Sequence, residues 1–389
     1  MNSNATPLTE KKRLTWIDAA RGFAIFGIFM VNVPAFNAPY FLYGGEEVFQ
    51  SSTAGHVIQT IIDIFFQSSF YTLFSFLFGF GIQIIVENIQ KRQQPVNKLL
   101  FRRLVILIGF GLIHAFFIWH GDILLTYGII GMFLFLFFKR ADRTLVVWAL
   151  SLLVIPTLLY TGLLYLVRDQ LDGYNLAGIQ QAIAHYGTGS LFEVWQQNFK
   201  DWSYSNGIFT YIILIFNLLP LFLLGMVTAR RKWLHDIERN HLFLKRVWLI
   251  SFILFIGIKA GVYLWGNPTW LSMLQDTIGG SASAIFYLTS ITLIYRSSIG
   301  EKLFQPFTYV GKMSLSNYIF QSVVCFILFY SVGFGLYGSI SPLGSIGIVF
   351  AVYLGQIFLS RIYMERYRFG PLEWLWRRLM YMERLPNKR

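Results

Sequence analysis

The chain has 389 residues, of which 55% are hydrophobic and only 13% charged. Soluble domains carry about 25% charged residues, so this composition excludes a soluble globular protein and makes the lipid bilayer the expected solvent and partner. The formal net charge of +13 would suggest nucleic acid in a soluble protein, but in a lipid-embedded chain its distribution serves to orient the helices, and no nucleic-acid partner is expected. The single cysteine, Cys325, lies in an apolar run and excludes an intrachain disulfide or a cysteine-built metal site.

Lys11, Lys12 and Arg13 precede the first apolar stretch. The pattern resembles a signal peptide, but about 22 apolar residues exceed the usual h-region, so it reads as an uncleaved first helix. Stretches able to cross roughly 30 Å of hydrocarbon follow one another. They cover residues 15–36, 57–86, 104–119, 123–138, 145–167, 208–229, 247–265, 278–295, 310–329 and 343–362. The expected fold is therefore an all-α bundle of about ten transmembrane helices. Its domain plan is an N-terminal segment at 1–14, a membrane domain at 15–365 and a basic interfacial tail at 366–389.

Assigning loops alternately to two sides gathers 28 of the 32 Lys and Arg on one of them: Lys11 to Arg13, 91–103, 139–143, 230–246, 296–312 and the tail from Arg361. The opposite loops hold Arg168 and Lys200 beside Glu46, Glu47, Asp122, Asp169, Asp172, Glu193, Asp201 and Asp276. The positive-inside rule makes the basic side cytoplasmic, with both termini there. The long segment 168–206 is too polar to insert and is expected as short amphipathic pieces on the outer interface.

Ionisable groups within lipid cost several kcal/mol and must face a partner, a cavity or water. On the first helix Asp18, Arg21 and Asn32 share a face, since eleven residues at 100° each return to within about 20° of the starting direction. Either Asp18 and Arg21 anchor the helix as a snorkelling pair while Asn32 bonds a neighbour, or the stripe walls a cavity whose cation meets an anionic ligand. The third helix carries His114 beyond the midplane, with His120 and Asp122 at its outer exit. His114 is either a satisfied buried histidine or a group that takes and returns a proton near neutral pH, with Asp122 to orient it. His120 and Asp122 are expected in a hydrated turn, and their spacing matches no recognised metal motif. Lys259 in the seventh helix has no evident sequence partner and is expected to reach outer water or to pair across the bundle. Asn317 and Gln321 share a face of the ninth as interhelical glue or ligand contacts. Ser75 and Gly79 in the second permit close helix packing, and Gly370-Pro371 breaks the chain before an interfacial Trp/Arg helix.

Nearly end to end, the chain resembles the YeiB family of bacterial inner-membrane proteins. The residues that carry the likeness are Asp18-Ala-Ala-Arg21-Gly22 with Asn32, Leu73-Phe74-Ser75-Phe-Leu-Phe78-Gly79, Ile113-His114, Gly121-Asp122-Ile123-Leu124, Asn317-Tyr318, Gln321-Ser322 and Gly370-Pro371-Leu372-Glu373-Trp374-Leu375-Trp376-Arg377. Some members are described as possible transport proteins. More distantly, the chain is similar to transmembrane acyltransferases: bacterial sugar O-acyltransferases and the lysosomal heparan-glucosaminide N-acetyltransferase. The O-acyltransferases place a His eleven residues after the Arg of an Arg-Gly pair; here Arg21-Gly22 matches and Asn32 stands in the eleventh place. From the spacing above, no metal is expected; the resemblance implies a cytoplasmic acyl-CoA, such as acetyl-CoA, as co-substrate and a small-molecule or glycan acceptor on the outer side. It also implies His114 as base, Asp122 as its orienter or an acceptor contact, Asn32 as polar stabiliser, and Arg21 with Asp18 near the donor's anionic groups. His56 is a reserve base, and His120, Asn317 and Gln321 are candidate substrate contacts. The competing reading is a carrier or exporter of a small solute with Asp18, Arg21, Lys259 and His114 on a coupling path. It lacks the paired Gly/Pro-interrupted helices of repeated halves. A membrane scaffold is a third possibility.

Overall fold

A computed structural model describes residues 14–46, 52–171, 173–383 and 385–389. Lys11, Lys12, Arg13, Glu47, Asp172 and Arg384, which entered the charge count, lie outside the described residues.

Fifteen helices carry the architecture: α1 (Thr15–Asn37), α2 (Thr53–Phe65), α3 (Ser69–Lys91), α4 (Val96–Phe117), α5 (Leu124–Gly131), α6 (Asp142–Leu166), α7 (Leu176–Thr188), α8 (Leu191–Ser205), α9 (Ile208–Arg230), α10 (His241–Phe255), α11 (Gly280–Ile294), α12 (Ser298–Lys312), α13 (Ser314–Phe329), α14 (Pro342–Arg366) and α15 (Pro371–Tyr381). No strand occurs among the described residues. Eight helical stretches there are long and apolar enough to cross a membrane, and a ninth results if the bent pair α12 and α13 is one span. With the short apolar stretch Leu124–Leu136, every one of the ten expected segments has a helical counterpart in the expected order. The chain is a multi-pass membrane protein.

Burial sorts the helices into two shells. Two-thirds of the apolar window is buried in α1 and in α9, against only 22–28% in α6, α10 and α14. The outer shell shows its large side chains outward, among them Trp148, Ile155 and Leu159 of α6 and Leu354 and Phe358 of α14, as helices in hydrocarbon do. The inner shell approaches more closely than side chains allow. A Cβ on Gly22 would fall 1.9 Å from Phe307 O, and one on Gly311 would fall 1.8 Å from Asp18 O. The α1/α12 crossing is therefore a backbone-to-backbone contact that only glycine permits, the small-residue packing expected where lipid removes the hydrophobic drive between helices.

Three segments depart from expectation. The stretch 57–86 is broken between α2 and α3, where Ser68 has a φ of 59°. The ninth segment does not start at Val310: α12 occupies what reads as a basic loop, lies along α1, and turns by 79° into α13. Finally, α5 with its 3₁₀ extension ends at Leu136, and about 13 residues at 1.5 Å give roughly 20 Å, too short for the roughly 30 Å of hydrocarbon. The turn between α4 and α5 is thus recessed. The segment after Arg168 covers it as two helices, α7 and α8, with Asn198 Nδ2 donating to Ala115 O (2.6 Å) and Trp195 Nε1 to Phe117 O (3.1 Å).

Candidate functional site

The recessed turn builds its own site. At the end of α4 the amides of Ile118 and Trp119 both donate to His114 O, at 3.0 and 2.9 Å, closing the helix around that residue. The chain reverses through His120 and Gly121, and Asp122 caps the next helix: its Oδ2 accepts the Leu125 amide at 2.6 Å. Its other oxygen, Oδ1, lies 2.7 Å from His114 Nδ1. One carboxylate therefore starts α5 and orients an imidazole on α4. Gly111, one turn before His114, lets α5 come this close, because a Cβ there would sit 2.2 Å from Leu125 N.

Both side chains of the pair have no exposure. The expected hydrated turn is corrected: Asp122 is buried because α5 is short and α8 closes over the end of α4. With Asp122 ionised, the Nδ1 proton is held toward it and Nε2 presents its lone pair. Nε2 is buried and has no hydrogen-bond partner. The Tyr318 ring of α13 lies across the imidazole, with centroids 5.1 Å apart, and its hydroxyl is also buried without a partner. Behind it, the Tyr127 hydroxyl on α5 meets Ser75 Oγ at 2.8 Å and donates to Tyr71 O at 2.6 Å, so the Leu73 to Gly79 run supports the wall of this site.

The other sequence candidates separate into distinct places. His120 lies 3.8 Å from Asp201, whose carboxylate is already filled by Tyr43 Oη (2.5 Å), Tyr186 Oη (2.9 Å) and Gln197 Nε2 (2.7 Å). Asn32 is half-buried on α1, one turn below Phe36, which stacks on Trp119 at 4.1 Å. His56 is exposed on α2, apart from the pair. Asn317 and Gln321 are interhelical glue: Asn317 Nδ2 donates to Ser360 Oγ (3.0 Å), Gln321 Nε2 to Gln356 Oε1 (2.8 Å), and Gln356 Nε2 to Asn317 O (2.8 Å), tying α13 to α14. Asp18 and Arg21 pair at 3.3 Å at the other end of α1, with the arginine 29% exposed.

Lys259 pairs across the bundle. Its Nζ donates to Gln67 O at 2.9 Å and lies 3.6 Å from Asp276 Oδ1, while Asp63 accepts from Tyr263 Oη and Gln275 Nε2 at 2.6 and 2.9 Å. Lys259 and Asp276 each sit in a π-helical turn, Ile256–Ala260 and Gln275–Gly279, which no sequence signal announced. Sequence reasoning also missed Tyr318, whose aromatic character gave no sign that it would face an imidazole. It missed Glu373 of α15 as well: Oε1 accepts the Leu315 and Ser316 amides at 2.7 and 3.1 Å and Oε2 the Ser316 hydroxyl at 2.6 Å, capping α13. Among the described residues, no three His, Cys, Asp or Glu gather to hold a metal ion.

A family model described as "Protein of unknown function (DUF418)" matches residues 228–383. Over its length the chain is similar to "Uncharacterized protein YxaH" of Bacillus subtilis, 35% identical across 99% of this chain and 98% of the relative. It is similar also to "Uncharacterized protein YeiB" of Escherichia coli, 27% identical across 95% and 96% of the two chains. A third relative is the "Uncharacterized 39.9 kDa protein in amylase 3'region" of Bacillus acidopullulyticus, 25% identical across 98% and 97%. No solved structure matches.

Proposed function

The chain belongs to the YeiB family, and from that premise we propose that it is an acyltransferase of the bacterial inner membrane. It would move an acyl group from a cytoplasmic acyl-CoA to a hydroxyl or amine of a sugar-like acceptor on the outer side. The observation that carries this reading is the buried His114–Asp122 pair with Nε2 left bare. Acyl transfer needs a base for the nucleophile and donors for the developing oxyanion. The acceptor's O–H or N–H donates to Nε2 as its heteroatom attacks the thioester carbonyl. The C–S bond then breaks, and the departing thiolate takes the proton back from the imidazolium. Asp122 holds the ring and stabilises its charged form. The Tyr318 hydroxyl and Asn32 are the polar groups assigned to the oxyanion. The excess of basic residues at the end of α1 that bears Asp18 and Arg21 supports placing that end in the cytoplasm, where the donor enters.

The test is turnover by the purified protein supplied with acyl-CoA and glycan acceptors, read as free thiol. His114→Ala should lower it by orders of magnitude while the unfolding temperature stays near that of the parent. Retained turnover would remove His114 from the mechanism.

A second reading, the solute carrier, is favoured by one observation: Lys259 and Asp276 pair where two helices abandon regular α-helical bonding, as discontinuous helices do at transporter sites. Counterflow of solute in reconstituted vesicles without any acyl donor would favour it.

A further inference from the structure

The basic end of α4 holds a cation that its surroundings do not neutralise. Arg103 and its neighbour Arg102 point to different sides of the helix. Arg102 lines a groove of about 520 Å³ between α4 and α15, together with Phe101, Val105, Leu379 and Arg378. Arg103 turns the other way. Its guanidinium lies 3.7 Å over the Trp376 ring, whose indole N–H donates to Arg103 O at 2.9 Å. Its Nε is shut off from solvent and has no hydrogen-bond partner. Among the described residues, no carboxylate lies within ion-pair distance of Arg103. Two cations, Arg377 of α15 and Arg21 of α1, act on it electrostatically, with the Tyr381 hydroxyl of α15 acting in the opposite sense. Arg21, which pairs with Asp18 at 3.3 Å, turns its Nη2 toward α3, where a Cβ on Gly81 would approach it at 3.2 Å.

A partly desolvated guanidinium costs free energy unless an anion or a full set of hydrogen bonds compensates it. Stacking on indole offsets part of that cost and fixes the plane of the guanidinium. A planar fork held against an aromatic ring, within the field of two further cations, is an arrangement suited to phosphate oxygens. Position points the same way. Arg103 and His114 stand eleven residues apart on α4, so they share a face within about 20°, separated along the axis by about 16 Å.

We propose that Arg103, together with Arg21 and Arg377, binds a diphosphate group at the basic end of the bundle. The site rests on the acyltransferase reading only in naming the carrier: a thioester donor whose diphosphate sits at Arg103 and whose extended arm reaches toward His114.

The full chain in phosphatidylcholine nanodiscs, titrated with inorganic pyrophosphate and separately with coenzyme A, tests the assignment by calorimetry and thermal unfolding. Both probes should bind saturably and raise the unfolding temperature, and binding should weaken as salt rises. Arg103→Met should weaken both by at least about tenfold without lowering the unfolding temperature of the ligand-free protein, because an uncompensated cation is gone. Arg103→Lys, which keeps the charge and loses the fork, should give an intermediate loss and serves if the methionine variant does not fold. Arg102→Met should bind pyrophosphate as the parent does. Unchanged affinity in Arg103→Met, or no binding by the parent, overturns the site. If phosphatidylglycerol nanodiscs compete with pyrophosphate only when Arg103 is present, the anion is a lipid headgroup, and the assignment to a soluble donor is overturned. Arg103-dependent binding in a protein that turns over no acyl-CoA would leave the site standing and remove the catalytic role of His114. Turnover without Arg103-dependent binding would do the reverse.

Discussion

Two histidine and aspartate pairs sit at the same end of the molecule, and their carboxylates are committed differently. Asp122 gives one oxygen to an amide and the other to His114 at 2.7 Å, so the imidazole is held and its far nitrogen stays open. Asp201 gives its oxygens to Tyr43, Tyr186 and Gln197, and His120 stands off at 3.8 Å. A saturated carboxylate braces the short turn at Tyr40–Tyr43, α7 and α8; an unsaturated pair is equipped to exchange a proton. Identical residue types thus acquire different roles according to how many polar atoms the surrounding helices have already claimed.

Substitutions can break that comparison or sharpen it. The largest effect is expected at the reacting nitrogen: His114→Ala should lower turnover by about 10²–10⁴-fold, the range of positioned acid–base groups, with unfolding temperature near the parent's. Equal losses in His114→Ala and His120→Ala would erase the distinction between the pairs. Asp122→Asn retains an acceptor for Leu125 but no longer stabilises the imidazolium, and should cost roughly 10²-fold in turnover, read from the same thiol-release assay. Asp201→Ala should act on stability instead. Three donors lose their acceptor, which should cost about 2 kcal/mol in denaturant unfolding while turnover per folded molecule is kept. The smallest effect belongs to the cap on α13: Glu373→Ala should cost about 1 kcal/mol by the same unfolding measurement.

Apolar length made the spans legible, because a run of twenty apolar residues has few uses outside a bilayer. The bend between α12 and α13 was not legible. Residues 296–312 read as a basic loop, not a helix, and the group that receives the new helix, Glu373, is 57 positions away from Ser316. The His114–Asp122 pair was half legible: the spacing of eight marked both residues, but their contact depends on α4 stopping at Phe117 and on α5 being too short to span. That same shortness turned a hydrated exit into a sealed one. Arg103 read as one of many basic residues near a helix start. Only the tertiary placement of Trp376, 273 positions later, separates it from Arg102. The cost of Lys259 in lipid left outer water or a cross-bundle partner as its two outcomes, and the choice of Asp276 required the two π-helical turns.

The Glu373 cap also sets an order of events during synthesis. The first amides of α13 find their acceptor on a helix that leaves the ribosome more than fifty residues later, after α14 has been made. Until the tail emerges, the joint at Met313 has no lock, and the nascent chain holds α13 with its leading turn unfinished. Helix α15 is thus the latch of this joint, and the leading turn of α13 waits for it.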